Sequence, residues 1–181
     1  MTPVQETMPG LLEAIPGGGG PAALHVGARR EAMARAGRLL ATRPRTEKEL
    51  GDRLARAGFE PDVIASALER LRDLGLVDDA EFARQWVEER AGRKLLSARV
   101  LRDELRAKGV EAGVADDVIG AAGLDEEAQA VELAAKLVRK VASKPLAEQF
   151  SRIRQMLARR GYSNEAAEMA ARRVLPPEDW D

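Results

Sequence analysis

The clearest order in the chain is an apolar pattern that repeats. Leu50 and Leu54 stand four residues apart and are followed by Gly58 and Phe59; Leu101 and Leu105 are followed by Gly109 and Val110; Ile153 and Leu157 are followed by Gly161 and Tyr162. An apolar i, i+4 pair occupies one face of a helix. A glycine one turn later can adopt the left-handed conformation that ends a helix, and the apolar residue after it can fold back onto the last turn. Each copy therefore predicts a helix and its stop, at a period of about fifty residues, which is the signature of a repeat architecture.

The register extends on both sides. After each glycine, Val63, Ala67, Leu68 and Leu71 correspond to Val114, Val118, Ile119 and Ala122, and to Ala166, Ala170, Ala171 and Val174, which predicts a second helix. Before each copy lies a third amphipathic stretch: Met33, Gly37 and Leu40, then Phe82, Ala83, Trp86 and Val87, then Val131, Ala134, Leu137 and Val138. Helices are predicted over 29–42, 47–57, 61–74, 80–93, 97–108, 113–121, 126–141, 146–160 and 164–174. Thr46 with Glu49 reads as a capping box, Asp78 with Glu81 as a weaker one, and Ser97 and Ser163 as helix caps. The expected fold is all-α: three tandem three-helix repeats, 29–76, 77–123 and 124–181, forming an extended curved solenoid and ending in a short acidic tail. A single compact bundle of nine helices is the alternative.

Composition narrows the chemistry. The 181 residues are 45% hydrophobic but only 3% aromatic, with no cysteine and one histidine, His25. Disulfides, thiol nucleophiles and zinc–thiolate sites are excluded, and hydrolytic triads would have to pass through His25. No apolar run is long enough to span a bilayer. Residues 1–28 lack Lys and Arg and contain four consecutive glycines; they read as a disordered tail rather than a secretory signal. A cytoplasmic monomer is expected.

The net charge of −1 conceals alternating blocks: seven acids and no base over residues 110–135, then eight bases and one acid over 136–160. In the middle repeat Arg99, Arg102 and Arg106 fall on one helix face away from Leu101 and Leu105, with Lys108 close behind. This stripe reads either as a solubilising surface, partly neutralised by Asp103 and Glu104, or as a contact for phosphate or an acidic partner. Arg35 and Arg38, with Arg43 and Arg45, form a second basic cluster; Arg152, Arg154, Arg159 and Arg160 form a third. The acid groups Asp78/Asp79/Glu81, Asp116/Asp117 and Asp125/Glu126/Glu127 suit helix N-termini better than a metal, since no His or Cys completes a set. Phe59, Phe82, Trp86 and Tyr162 are expected in the core, while Trp180 is the aromatic expected to be exposed. No phosphate-binding loop is present.

These residues resemble the RecX family, regulators of the bacterial recombinase RecA. The likeness is carried by the R-P-R-T-E-K-E-L opening at Arg43–Leu50, the Gly58 stop and the G-L-V-D-D-A-E-F-A segment at Gly75–Ala83, and extends over roughly residues 29–175. The resemblance implies a non-enzymatic modulator that lies in the groove of the RecA nucleoprotein filament, limits filament extension, ATPase and strand exchange, needs no cofactor, and binds free DNA weakly. It carries no catalytic or metal residue over. The motif residues Leu50, Leu54, Gly58, Gly75, Leu76, Asp78, Asp79 and Phe82 read as structural: core, cap and stop. Candidate contacts to RecA or DNA are Arg99, Arg102, Arg106 and Lys108 first, then Arg35, Arg38, Arg154, Arg159 and Arg160. A helix-turn-helix DNA-binding protein and a general helical adaptor are the rival classes.

Overall fold

Each predicted stop becomes a real one. The computed structural model describes residues 21–177, with side chains from His25 onward, and among these the chain forms helices only. They are α1 Pro21–Leu40, α2 Glu47–Ala55, α3 Pro61–Asp73, α4 Asp79–Lys94, α5 Ala98–Lys108, α6 Ala112–Ala121, α7 Glu126–Val141, α8 Leu146–Arg159 and α9 Asn164–Val174. Gly58, Gly109 and Gly161 all have positive φ, and the apolar residue after each donates its N–H to a carbonyl five residues back, Phe59 to Leu54, Val110 to Leu105 and Tyr162 to Leu157. That is the bond pattern of a helix closed by a left-handed residue.

The cores divide as the repeat predicts. Leu50, Leu54, Val63, Ala67 and Leu71 pack with Ala32 and Ala36 in unit one; Phe82, Val87, Leu101, Leu105, Val118 and Ile119 pack in unit two; Leu133, Leu137, Ile153, Leu157, Tyr162 and Ala170 pack in unit three. All the extensive helix–helix packing lies within a unit. Phe59 and Trp86 are half-buried against their unit cores.

Two expectations need correction. The first helix starts at Pro21, eight residues before the boundary drawn at 29. Proline is favoured in a helix's first turn, and the Ala, Leu and Val residues that follow outweigh the glycines that precede them. His25 reaches Asp62 of α3 at 3.1 Å and Ala28 packs on the unit-one core, so the added two turns are anchored. Leu76, expected in the core, is 55% exposed, as is much of Leu74, at 47%. Val77 is the residue buried there; Leu76 serves the stop only through its backbone, donating to the Leu71 carbonyl at 2.9 Å. Trp180, the acidic tail and residues 1–20 lie outside the described residues.

Candidate functional site

The middle helices of the units meet end to end, and this places the basic residues. At the first joint the N-cap of α2, Thr46, is fully buried; its hydroxyl accepts from the Glu49 N–H at 3.2 Å and donates to the Lys108 carbonyl, at the end of α5, at 2.6 Å. At the second joint the N-cap of α5, Ser97, is equally buried, and its N–H donates to the Arg160 carbonyl at the end of α8 at 3.1 Å. Thr46 and Ser97 share one repeat position, as do Gly109 and Gly161. The glycines are required twice over. Their φ values are +87° and +94°, and a Cβ would run into the Lys48 side chain at Gly109, or into Ser97 Oγ and Val100 at Gly161. Each helix thus sets its positive N-terminal end on the negative C-terminal end of the next, satisfying groups that would otherwise lack partners.

A second element repeats at both joints. Asp79, first residue of α4, accepts the Glu47 N–H at 2.9 Å, and Glu126, first residue of α7, accepts the Ala98 N–H at 2.6 Å. An acid opening one unit therefore caps the middle helix of the unit before it. Asp78 and Asp125, one residue earlier, cap their own helices. Asp79, assigned to its own helix's cap, is in fact a connector. The acid doublets at 78–79 and 125–126 were the available signal; only the three-dimensional structure shows that the two members of each doublet serve different helices.

Among the stripe residues, Arg106 is 78% exposed, and its one ion pair among the described residues is with Asp103, at 4.0 Å. Arg102 is ion-paired with Asp116 of α6 at 2.5 Å, and the Arg99 Nε donates to the Gly161 carbonyl at 3.4 Å. Lys108 turns away from the stripe: it is mostly buried, salt-bridged to Glu49 and lying 5.1 Å from the Trp86 ring. Burial pushes the Glu49 carboxyl up, but hydrogen bonds from Arg43 and Lys108 outweigh it and leave it below the ordinary range. Only half of the predicted capping box forms, because the Glu49 side chain goes to these two cations. Arg35 and Arg38 are exposed on α1, and Arg159 on α8, with no side-chain hydrogen bond or ion pair among the described residues. Arg154 pairs with Glu168 at 3.8 Å, and the Arg160 guanidinium is held by the Lys94 carbonyl.

The structure adds Lys48, Arg53 and Arg56, which the sequence reading passed over as candidates. A cleft of about 390 Å³ at the first joint is lined by Arg43, Lys48, Arg53, Arg56 and Lys108 together with Glu49 and Asp52. The exposed cations of α2 thereby continue past the end of α5, while Arg99 and Arg160 adjoin each other at the other end. A wider apolar cleft of about 800 Å³ lies between α4 and α6, with no α5 residue in its walls.

Three family models describing the first, second and third three-helix domains of RecX match residues 32–71, 78–119 and 125–170. The chain belongs to the RecX family. Its relatives include the regulatory protein RecX of Mycobacterium avium, 44% identical over 72% of this chain and 76% of that one, and that of Thermobifida fusca, 39% identical over 78% and 77%. The crystal structure of RecX from Lactobacillus salivarius superposes with a TM-score of 0.71 at 22% identity, covering 82% of this chain and 97% of that one. A second crystal structure of a regulatory protein RecX gives 0.72 at 24% identity, over 82% and 74%. The all-α tandem-repeat fold of RecX is thus the fold of this chain. Among the described residues no helix is long and apolar enough to cross a membrane.

Proposed function

We propose that this chain regulates the recombinase RecA by lying along the RecA–DNA filament with its three middle helices as the contact ridge, limiting filament growth, ATPase and strand exchange. The observation that carries the reading is the end-to-end placement of α8, α5 and α2. It turns three short helices into a ridge about 50 Å in contour length. Arg99, Arg102 and Arg106, with Arg159 behind them and Arg53 and Arg56 ahead, supply guanidinium groups suited to phosphate and carboxylate. Arg35, Arg38, Arg154 and Arg160 are secondary contacts, and Lys108 supports the joint rather than the contact.

A duplex-reading role fits less well. The helices that follow the glycine stops are α3, α6 and α9; α6 has no basic residue at all and the arginines of α3 and α9 stand only in the last turn, whereas a recognition helix reads bases from its N-terminal part.

The test is RecA ATPase on single-stranded DNA titrated with this protein, alongside binding to bare DNA in the same salt. Inhibition below stoichiometric ratio with weak binding to bare DNA is the expected outcome. Unchanged ATPase together with tight binding of a defined duplex would falsify the reading. Charge reversal at Arg99, Arg102 and Arg106 is expected to abolish inhibition while helical content stays constant.

A further inference from the structure

The apolar cleft between α4 and α6 is open because the middle unit lacks side chains that the other units carry. The position just before Leu71 in unit one and Val174 in unit three is an arginine, Arg70 and Arg173; in unit two it is Ala121, followed by Ala122. On the facing wall Gly92 of α4 stands where α7 has Arg139, counting from the matching acids Asp79 and Glu126. The result is a difference in room. The space between α7 and α9 is about 450 Å³ with Arg173 in its wall, whereas that between α4 and α6 is about 800 Å³, and a Cβ on Gly92 would meet nothing within 4 Å. Its floor is the edge of the unit-two core, formed by Val87, Ala91, Val118 and Leu124.

The charge of the rim changes in step. Asp117 takes the repeat position of Ser66 and Met169, so this rim gains a carboxylate where it loses an arginine. Glu88 joins it from α4. Neither Glu88 nor Asp117 makes an ion pair or a side-chain hydrogen bond among the described residues, while Arg84 in the same wall is taken up by Glu81 at 2.8 Å. Free carboxylates over an apolar floor repel a phosphodiester backbone and suit apolar side chains flanked by Lys or Arg. The chain's own ends have the wrong sign: residues 1–20 contain Glu6 and Glu13 and no Lys or Arg, and residues 178–181 carry three acids. The walls are two helices, and the short side chains of Ala80, Gly92 and Ala121 let the backbone of a third come close.

We infer that the α4–α6 cleft is a docking groove for a basic amphipathic helix of RecA, whose apolar edge lies on Val87, Val118 and Leu124 and whose Lys or Arg side chains meet Glu88 and Asp117. The inference rests on the regulatory reading above and gives it a second face. Because α5 contributes nothing to the walls, the basic ridge and the acid-rimmed groove can be altered separately.

Ala121→Arg restores the residue of the other two units. The position is exposed at the end of α6, where arginine is a good helix former and a cation suits the helix terminus, so the fold is retained. The double change Glu88→Lys and Asp117→Lys reverses the rim, again at exposed positions. Both variants are compared with the parent for binding to RecA filaments on single-stranded DNA and to the bare DNA in the same salt. The expected result for each is at least a tenfold weaker affinity for the filament, with no loss of binding to bare DNA. If either binds filaments as the parent does, the groove does not hold a basic helix, while the ridge reading stands. Equal losses on filament and bare DNA would make the occupant nucleic acid and overturn the assignment to protein. A parent that binds no filament sinks the regulatory reading itself, and this contact with it. A photo-crosslinking residue at position 121 gives an independent readout: an adduct to a RecA helix with Lys or Arg beside its apolar residues is expected, and one to DNA, to a second copy of this chain or to an acidic segment of RecA contradicts the inference.

Discussion

The two joints between units share a plan and differ in material. Both stack a middle helix on the glycine stop of the next, and both borrow an acid from the following unit. The first is closed with polar groups: Lys108 on Glu49, the Asp79 carboxylate on the Glu47 N–H and Thr46 on the Lys108 carbonyl, while Arg72 on Glu47 at 2.7 Å braces the same helix start from within unit one. At the second, Leu95 leaves the end of α4 in a left-handed conformation, φ +50°, and inserts its side chain into the core of unit three. Tyr162 of that core donates its hydroxyl to the Leu95 carbonyl at 3.0 Å. Burial pushes the Tyr162 phenol up to about 12, so it remains a donor throughout the useful pH range. The matching residue at the first joint is Pro44, which is exposed. A left-handed non-glycine residue costs about 1–2 kcal/mol, and burying a leucine contributes about 1.5–3 kcal/mol. The second joint is therefore held by burial and the first by polar pairs, whose strength depends on salt and pH. Units two and three should move as one body, with unit one the more adjustable.

The largest effects should come from the plan that both joints share, through Gly161→Ala and Gly109→Ala. The first adds backbone strain and a clash with Ser97 and Val100, and should cost about 3–4 kcal/mol in urea unfolding. The second presses on Lys48 at its Cβ, which cannot swing clear of its own backbone, and should cost about as much. Unchanged stability in either variant would show that its joint does not rest on the glycine. Leu95→Ala comes next, at about 2–3 kcal/mol, with a loosened unit three and an unaltered unit one by hydrogen exchange. A loss spread evenly over all three units would contradict the plug. Tyr162→Phe leaves a buried carbonyl without its donor and should cost about 1–2 kcal/mol, again confined to the second joint.

Acidification should give the smallest effect, and at the first joint only. Glu47 is held below the ordinary carboxylate range chiefly by its hydrogen bond to Arg72, and Glu49 also lies low. Acids with depressed folded values contribute stability above their unfolded values, near 4.5 for glutamate, and lose it as pH falls through the folded ones. Asp79, raised first of all by burial, works in the opposite sense and moderates the change. Corrected exchange rates at Glu47–Leu50 should rise below pH about 4 relative to those at Ala98–Leu101. Parallel profiles at both joints would remove the distinction.

How much was legible beforehand follows from what sets each feature. Leu50, Leu54 and Gly58 with their counterparts could be read because a helix face and its stop are local, and a threefold pattern leaves little ambiguity. Caps at Thr46, Asp78, Ser97 and Ser163 were legible for the same reason. Leu76 was misread because hydrophobicity does not say which of Leu74, Leu76 and Val77 turns inward once a glycine reverses the chain. Lys108 belongs to the same class of error: its place behind Arg106 suggested a surface stripe, whereas Glu49, fifty-nine residues away in sequence, turns it into the joint. Arg45 looked like one more surface cation and is buried.

By itself, then, the sequence determined nine helices among the described residues, their grouping in threes and the family to which they belong, because these depend on interactions within a few turns and on a pattern stated three times. Tertiary structure alone decided that Gly109 and Gly161 are seats for the next helix, that Asp79 and Glu126 serve a neighbour, that Leu95 locks one joint while polar pairs close the other, and that Arg45 is buried. Those outcomes depend on which chain ends meet in space, and residues some sixty positions apart leave no local periodicity to show that they will.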